Sequence, residues 1–364
     1  MNLVEALAAG VGPRTAGSDA AARAADTVAD AFRELGLEPR FQEFELLAYE
    51  ADEPQLEVEG EPWPAGACMY GHAFDGTGTV RRIGASPAPL GEGRLPNFAV
   101  VDADGREVAR ILTSPFGRGA TPFMSMHVHI TTPPTAFVSK RDAARLEDGM
   151  HVRLKVGGRF VPGRRERNVI ADIAGAADNH VVVSAHYDSV FLGPGAIDNA
   201  SGVEGVRRVG EALAGRDLAR GVRLVAFAAE EIKLAGSRFY VDEAKLRGEL
   251  DQVAGVVNLD CIAHGDTLQI LASPDALLGR GVEAARSLGL LNRYELVTGP
   301  ATGGVDSHWF ADAGVPAVTL LHFPYDEYHL PADTPELVDD RMLDDAVSLA
   351  VALVESQLAR PVPR

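Results

Sequence analysis

Residues 181–202 read VVVSAHYDSVFLGPGAIDNASG, and this stretch is the most informative about the fold class. Residues 181–183 form a continuous apolar run, which is typical of a strand that is buried on both faces of a parallel sheet. The run leads to His186, and a glycine-containing loop then carries Asp198 into a predicted helix. In open α/β sheets, functional sites form beyond the carboxyl ends of the strands. The stretch therefore predicts an α/β protein with a polar site at this edge of its sheet.

Strands and helices alternate through the C-terminal half of the chain. Apolar strands are predicted at residues 169–173, 181–184, 222–228, 253–259, 267–271 and 315–321. Helices are predicted at residues 202–213, 236–246, 277–288, 305–313 and 341–358. This alternation predicts the fold class α/β, with a mostly parallel central sheet that is flanked by helices on both faces. Near the N-terminus, Ser18 and Gly36 predict the start and the end of another helix.

A segment rich in predicted β-strands separates the N-terminal helix from the α/β half of the chain. Glycine and proline separate short alternating runs such as residues 98–101 and 152–156, which predicts strands that are joined by turns. His127 and His129 alternate with apolar residues, and they fit one face of a strand better than a metal pair.

The change from strand–helix alternation to short strands joined by turns predicts two domains. Residues 1–46 and 164–364 form one domain, and residues 47–163 form a smaller β-rich inserted domain. The polar residues 164–167 are predicted to be a hinge. A domain that is anchored at both ends stays close to the body of the protein, so we expect it to shape access to a site there. A role in oligomer contacts or in stability is the alternative.

Composition excludes several classes of partner. The 364-residue chain has 34 lysine and arginine residues against 52 acidic residues, a net charge of −18, which argues against nucleic acid. No apolar run approaches the roughly 20 residues that span a bilayer, so no membrane partner is predicted. The N-terminus lacks the positive region of a secretory signal, so the protein is expected to be cytoplasmic unless a leader was removed. Cys68 and Cys261 predict no disulfide framework.

Side chains that bind metals follow the predicted strands one after another. In chain order they are His186, Asp198, Glu231, Asp260 and His329. Imidazole nitrogens and carboxylate oxygens are common zinc ligands. Each residue alone has a simpler explanation, such as a helix N-cap for Asp198 or a surface residue for His329. Five such residues in one order, at one edge of a sheet, make coincidence improbable, so we predict a metal site.

Two further acidic residues have predicted roles at this site. Glu230 precedes Glu231 at the end of an apolar strand, where adjacent carboxylates are costly unless a cation neutralises them. Neighbouring side chains diverge, so one glutamate can bind metal while the other acts as a general base. Asp188 lies two residues after His186 and is a candidate to orient its imidazole. Cys261 is predicted to be a buried structural thiol rather than a ligand.

As a set, these segments closely resemble peptidase family M28, a family of zinc peptidases that includes bacterial leucyl aminopeptidases. The resemblance covers roughly residues 1–45 and 165–364, and residues 47–163 more weakly resemble a protease-associated domain. The matching segments are Gly12-Pro13-Arg14-Thr15-Ala16-Gly17-Ser18, His186-Tyr187-Asp188, Gly195-Ala196-Ile197-Asp198-Asn199-Ala200-Ser201-Gly202, Glu230-Glu231, Leu234-Ala235-Gly236-Ser237, Asn258-Leu259-Asp260, Tyr328-His329 and Asp333-Thr334.

The resemblance implies a zinc exopeptidase-like fold and two zinc ions per chain. His186 and Asp260 would hold one ion, and Glu231 and His329 would hold the other. Asp198 would bridge the two ions.

The resemblance also implies roles for residues that do not bind metal. Glu230 would be the general base, and Asp188 would orient the first histidine ligand. The peptide bond between Asp198 and Asn199 would be cis.

The chain departs from the family pattern at three places near the site. Lys233 stands where many members have glycine, and Cys261 stands where many have methionine. Asp306-Ser307-His308 stands near a segment that usually reads Ser-Asp-His. None of these departures removes a ligand.

The expected function by resemblance is that of a zinc-dependent aminopeptidase, which would release N-terminal amino acids from peptides or act on amino-acid amides. A carboxypeptidase or an N-acyl amino acid hydrolase with the same metal centre is an alternative. A glutaminyl cyclase would share the fold but use one zinc ion, and a non-catalytic binding module would have lost ligands. The complete ligand set, together with Glu230, favours the two-zinc hydrolase. The sequence carries no signal for oligomeric state.

Overall fold

The computed structural model describes residues 1–87, 93–114, 123–124, 133–301 and 303–359. The chain divides into two compact units. The first contains Met1–Leu46, Arg165–Tyr325 and Pro331–Arg364, and the second contains Leu47–Arg164 and Asp326–Leu330. The assignment of residues 47–163 to a protease-associated-like domain stays a prediction.

The helices and strands of the described residues are numbered here in chain order. Strands β1 to β17 are Arg40–Ala51, Gln55–Val58, Glu61–Trp63, Gly66–Met69, Phe74–Pro87, Arg94–Val101, Glu107–Thr113, Phe123–Met124, Thr135–Val138, His151–Val156, Gly158–Ile173, Ala177–His186, Arg220–Phe227, Val253–Leu259, Thr267–Ser273, Glu295–Gly299 and Ala317–His322. Helices α1 to α7 are Asp19–Glu34, Lys140–Ala143, Gly202–Leu213, Ala235–Arg247, Asp275–Ser287, Ser307–Asp312 and Asp340–Ala359. Among the described residues, none of the helices combines the length and the apolar composition that a membrane span requires.

The first unit is built on a mixed sheet with the strand order β1-β11-β13-β12-β14-β17-β15-β16. In its centre, β12 runs parallel to β13 and β14, and β14 runs parallel to β17. Val181, Val182 and Val183 on β12 are fully buried, as their continuous apolar run predicts. The mostly parallel centre is therefore confirmed. The antiparallel pairing of β11 with β13 and of β15 with β17 was not predicted.

Helices cover both faces of this sheet, as the strand–helix alternation predicts. Tyr240 on α4 and Phe310 on α6 pack in one core cluster with Val225 on β13. Gly210 on α3 lies against Leu224, the residue that precedes Val225 in the strand. Successive side chains of a strand point to opposite faces, so α3 covers the face that α4 and α6 leave open.

The N-terminal helix α1 begins and ends where the sequence predicts. The Ser18 hydroxyl accepts a hydrogen bond from the Ala21 N–H at 3.1 Å, which caps the helix. Gly36 follows its last turn with a φ of 77°, a conformation that favours glycine. Val28 and Phe32 lie on its fully buried face.

The second unit contains the predicted β-rich segment. Its sheet has the strand order β3-β2-β10-β5-β6-β7-β9-β4-β8. Leu56, Phe98, Ile111 and Leu154 belong to its buried apolar core, so this unit has a core of its own. His127 and His129 lie outside the described residues.

The predicted hinge residues 164–167 lie inside the continuous strand β11, and the boundary between the two units falls between Arg164 and Arg165, so a hinge here stays a prediction. One of these polar residues makes buried contacts. The buried Glu166 carboxylate accepts hydrogen bonds from the Gly17 N–H at 2.5 Å and from the Tyr187 O–H at 2.8 Å. Burial raises the pKa of Glu166 to about 7. Glu166 therefore owes its polarity to buried hydrogen bonds and not to solvent exposure.

Gly236 permits close packing where α4 begins beside the end of β13. A Cβ atom at this position would lie 2.1 Å from the Ala228 carbonyl oxygen and 2.5 Å from Asn168 Oδ1. Gly279, in the exposed middle of α5, would place its Cβ atom in open space. The two glycines therefore differ in steric role although both lie in helices.

We expect Gly236→Ala to lower the free energy of unfolding by about 1–3 kcal/mol, because the helix must move away from the strand. Gly279→Ala should raise it by about 0.5–1 kcal/mol, since alanine favours an exposed helix interior. Urea unfolding followed by circular dichroism measures both. An unchanged or higher unfolding midpoint in Gly236→Ala would contradict the close packing.

Candidate metal centre

His186 is the last residue of β12, and its imidazole is almost fully buried. Its Nδ1 lies 3.2 Å from the Asp188 carbonyl oxygen and 3.5 Å from Asp188 Oδ1. Its Nε2 lies 3.1 Å from Asp198 Oδ1, 3.5 Å from Asp260 Oδ1 and 4.0 Å from Glu230 Oε2. One ring nitrogen thus contacts Asp188, and the other lies among carboxylates, which is the arrangement expected of a metal-binding histidine.

Asp188 also fixes the loop after β13 that carries the two adjacent glutamates. Asp188 Oδ1 accepts the Glu230 N–H at 3.0 Å, and Oδ2 accepts the Glu231 N–H at 3.2 Å. Asp188 is fully buried. The predicted role of Asp188 was limited to orienting His186. The structure adds that both of its oxygens hold the backbone of the glutamate pair.

Asp198 lies in the irregular turn Ala196–Ser201, just before α3. The Asp198–Asn199 peptide bond is cis, which confirms the expectation from the resemblance. The Asn199 side chain donates to the Leu259 carbonyl at 2.9 Å and accepts from the Cys261 N–H at 3.2 Å. These bonds attach the turn to the C-terminal end of β14.

Asp260 and Cys261 follow β14 directly. The Asp260 N–H donates to the Leu320 carbonyl on the neighbouring strand at 3.0 Å. The Cys261 thiol donates to Asp260 Oδ1, with 3.3 Å between the two atoms. Burial raises the pKa of the Cys261 thiol well above its usual value, and Asp198 and Asp260 raise it further. A neutral thiol that donates to a carboxylate agrees with the structural role predicted for Cys261.

The five predicted ligands come together in the structure. Among the described residues, three groups have possible ligand atoms that lie within 4.8 Å of one another. The groups are His186, Glu230 and Asp260; Asp198, Glu231 and His329; and Asp198, Asp260 and Cys261. Histidine nitrogens and carboxylate oxygens are suitable donors for zinc, so the residues present fit this metal. The assignment of each residue to one of two ions stays a prediction.

Buried negative charge dominates the electrostatics of the site. Burial raises the pKa of Glu230 well above its usual value, and Glu231 and Asp260 add to this effect while His186 opposes it. Burial alone would lower the pKa of His186, but Glu230, Asp188 and the other carboxylates outweigh it and raise this pKa well above its usual value. The shift of His186 shows that the surrounding carboxylates stabilise positive charge, as a cation site requires, whereas the shift of Glu230 arises mainly from burial.

Arg14 is a buried cation near the site. It belongs to a segment that matches the family, but the sequence predicts no role for it. Its side chain is fully buried and donates to the carbonyl oxygens of Tyr187, Pro194 and Gly195, the last at 2.8 Å. Burial lowers the pKa of Arg14 to about 10, and nearby carboxylates such as Asp188 oppose this effect. Arg14 thus joins the chain that follows His186 to the start of the Asp198 turn.

Asp333 is a second residue whose role the sequence did not reveal. Its Oδ1 accepts the Ile197 N–H at 2.7 Å, and its Oδ2 accepts the Asp198 N–H at 3.1 Å. Its carbonyl oxygen accepts the Ala196 N–H at 3.2 Å. Burial raises the pKa of Asp333 to about 6. Asp333 therefore fixes the Asp198 turn in the same way as Asp188 fixes the glutamate pair.

Residues 306–308, which depart from the family's usual Ser-Asp-His, include an acidic residue that interacts with the site. Asp306 is almost fully buried, and burial raises its pKa to about 7, while the charge of His186 opposes this increase and Asp260 adds to it. His308 is only half-buried, and its Nδ1 accepts the Gly303 N–H at 3.2 Å. Of the two residues, Asp306 is the one that interacts with the predicted ligands.

Comparison with known proteins identifies the family of the chain. The family model described as Peptidase family M28 matches residues 168–354, more than half of the chain. Leucine aminopeptidase 2 of Trichophyton equinum is 40% identical over 135 residues, and this match spans 35% of the chain but only 27% of that relative's length. Aminopeptidase YwaD of Bacillus subtilis strain 168 is 25% identical over 96% of the chain and 82% of that protein.

Solved structures show the same fold. The Peptidase M28 precursor from Shewanella amazonensis SB2B superimposes with a TM-score of 0.80 at 22% sequence identity. The superposition covers 100% of this chain and 94% of that chain.

Substitution of Asp333 tests whether its hydrogen bonds to the Asp198 turn support metal binding. We expect Asp333→Asn to weaken Zn²⁺ binding by about 10- to 100-fold, because an amide cannot accept both N–H groups of the Asp198 turn. Asp312→Asn, a change to an exposed residue of α6, is the matched control and should leave the affinity unchanged. Competition with a chromophoric chelator measures the dissociation constant. Equal affinities in Asp333→Asn and the control would show that Asp333 does not support the ligands.

Proposed function

Because this chain belongs to peptidase family M28, we propose that it is a zinc-dependent aminopeptidase that removes N-terminal residues from peptides. The observation that carries the proposal is the convergence of three overlapping groups of possible ligand atoms, which together contain all five predicted ligands. The names of Leucine aminopeptidase 2 and Aminopeptidase YwaD, given to similar proteins, support the same activity.

The proposed centre holds two zinc ions per chain. His186 and Asp260 would bind one ion, Glu231 and His329 would bind the other, and Asp198 would bridge them. The 3.1 Å separation of His186 Nε2 and Asp198 Oδ1 supports this sharing, as does the grouping of Asp198 with Glu231 and His329. When bound, such a metal pair supplies Lewis-acid polarisation of the scissile carbonyl and makes water a stronger nucleophile.

Glu230 is the proposed general base. Its Oε2 lies 4.0 Å from Nε2 of the proposed ligand His186, and its side chain is 11% exposed, so the carboxylate is close to the metal centre and reachable from solvent. Its carboxylate would take a proton from the attacking water and pass it to the leaving amine as the C–N bond breaks. The hydrogen bond from the Glu230 N–H to Asp188 would keep the base in place during both transfers.

The proposed substrate has a free N-terminus. The free amine of such a substrate would be held by the metal centre or by a nearby carboxylate that binds no metal. A carboxypeptidase or an N-acyl amino acid hydrolase could use the same centre, and a glutaminyl cyclase would need a single zinc ion. Substrate polarity and zinc content therefore separate the candidates.

The experiment compares leucine p-nitroanilide with its N-acetyl derivative. We expect the zinc-loaded protein to hydrolyse the free amine and to lose at least about 100-fold in kcat/KM on the acetylated substrate, because acetylation removes the free amine that the site is proposed to hold. A chelator should abolish activity, added zinc should restore it, and elemental analysis should approach two zinc ions per chain. Equal turnover of both substrates would favour an N-acyl amino acid hydrolase. Saturation at one zinc ion would contradict the two-metal centre.

The adjacent glutamates provide a matched pair of variants. We expect Glu230→Gln to retain zinc and lose about 10²- to 10⁴-fold in kcat, since an amide cannot accept the proton from water. Glu231→Gln should instead lose zinc. Steady-state kinetics and elemental analysis measure both effects. Loss of zinc from Glu230→Gln, with retention in Glu231→Gln, would reverse the two assignments.

A further inference from the structure

Lys233 lies in the short loop that carries the glutamate pair from β13 into α4. It is two residues after Glu231, and consecutive Cα atoms are about 3.8 Å apart, so the two Cα atoms lie within about 8 Å. The loop is closed by a hydrogen bond of 2.7 Å from the Leu234 N–H to the Glu230 carbonyl oxygen. The backbone of Lys233 is therefore held close to the proposed metal centre.

Two features of this position disfavour lysine. Lys233 has a φ of 59°, in the left-handed region that glycine adopts at little cost. It also precedes the N-terminus of α4, where the helix dipole repels a positive charge. A residue that departs from local preference on two counts points to function, because such departures concentrate at functional sites.

The Lys233 ammonium also lacks an acidic partner in the described part of the chain. No ion pair or hydrogen bond joins its side chain to another described residue. The next basic residue in sequence, Arg238, has Nε 3.6 Å from Asp242 Oδ2. Lys233 is half-buried, in a protein with a net charge of −18. Its charge is thus available to a negative group of the substrate.

Three backbone donors that follow Lys233 have partners within the protein. The Leu234 N–H donates to the Glu230 carbonyl at 2.7 Å, the Ala235 N–H donates to the Ala229 carbonyl at 2.9 Å, and the Gly236 N–H donates to the Ala228 carbonyl at 3.1 Å. These three N–H groups are not available to an anion, whereas the ammonium of Lys233 is.

We propose that Lys233 is a specificity-determining residue that binds a carboxylate on the second residue of the substrate. This inference rests on the proposed aminopeptidase function, in which the first residue lies at the metal centre and the second residue leaves. One residue of an extended peptide spans about 3.3–3.6 Å, so the second residue is within reach of a long lysine side chain. In a dipeptide the carboxylate is C-terminal, and in a longer peptide it is the side chain of Asp or Glu.

Two pairs of substrates distinguish these sources of carboxylate. Leu-Leu and Leu-Leu-amide differ at the C-terminal carboxylate, and Leu-Glu-amide and Leu-Gln-amide differ at the second side chain. The measured quantity is the ratio of kcat/KM within each pair, for the wild type and for Lys233→Gln. Lys233→Arg retains the charge, and Lys245→Gln is the matched control because it removes one exposed lysine from α4.

We expect Lys233→Gln to lower the acid-to-amide ratio of at least one pair by about 3- to 10-fold, mainly through KM, as expected for a partly exposed charge pair. Lys233→Arg and Lys245→Gln should keep the wild-type ratios. Turnover with both ratios unchanged in Lys233→Gln would overturn this proposal alone. If the zinc-loaded wild type hydrolyses none of the four substrates, the aminopeptidase function fails, and this proposal fails with it.

Discussion

The constraint on which the site depends is the burial of several carboxylates at the ends of neighbouring strands. A buried carboxylate is costly unless hydrogen bonds or opposite charges compensate it. Asp188 and Asp333 are compensated by pairs of backbone N–H groups, and these bonds determine the course of the glutamate loop and of the Asp198 turn. The same bonds that make burial tolerable therefore also position the proposed ligands.

This convergence requires breaks in regular backbone geometry. Successive side chains of a strand point to opposite faces of the sheet, so an ordinary strand cannot direct consecutive residues towards one centre. Ala229, Cys261 and His329 have φ values of 55°, 50° and 60°, in the left-handed region that residues other than glycine rarely adopt. Each is a proposed ligand or lies within two residues of one. The irregular backbone is thus concentrated where strand geometry conflicts with the site.

Local patterns were sufficient to predict the α/β fold and the five candidate ligands, because apolar strands and the polar residues at their ends are contiguous in sequence. The supports of the ligands could not be predicted in this way. Asp333 acts on Ile197 across 136 residues, and Arg14 acts on Gly195 across 181 residues. The continuity of β11 through residues 164–167 was missed for the same reason, since only the fold reveals the partners of Glu166.

Arg14 explains how positive charge can be added to the site without occupying the oxygens that would bind metal. Its guanidinium donates to four carbonyl oxygens rather than to carboxylates, yet its charge acts on Asp188, Asp333, Asp198 and Glu231 through space. A direct ion pair would compete with a cation for the same oxygens. The rigid fork of arginine can serve several carbonyls at once, and with a pKa of about 10 it remains charged when buried. Lysine, a compact charge whose pKa falls readily on burial, would serve this position less well.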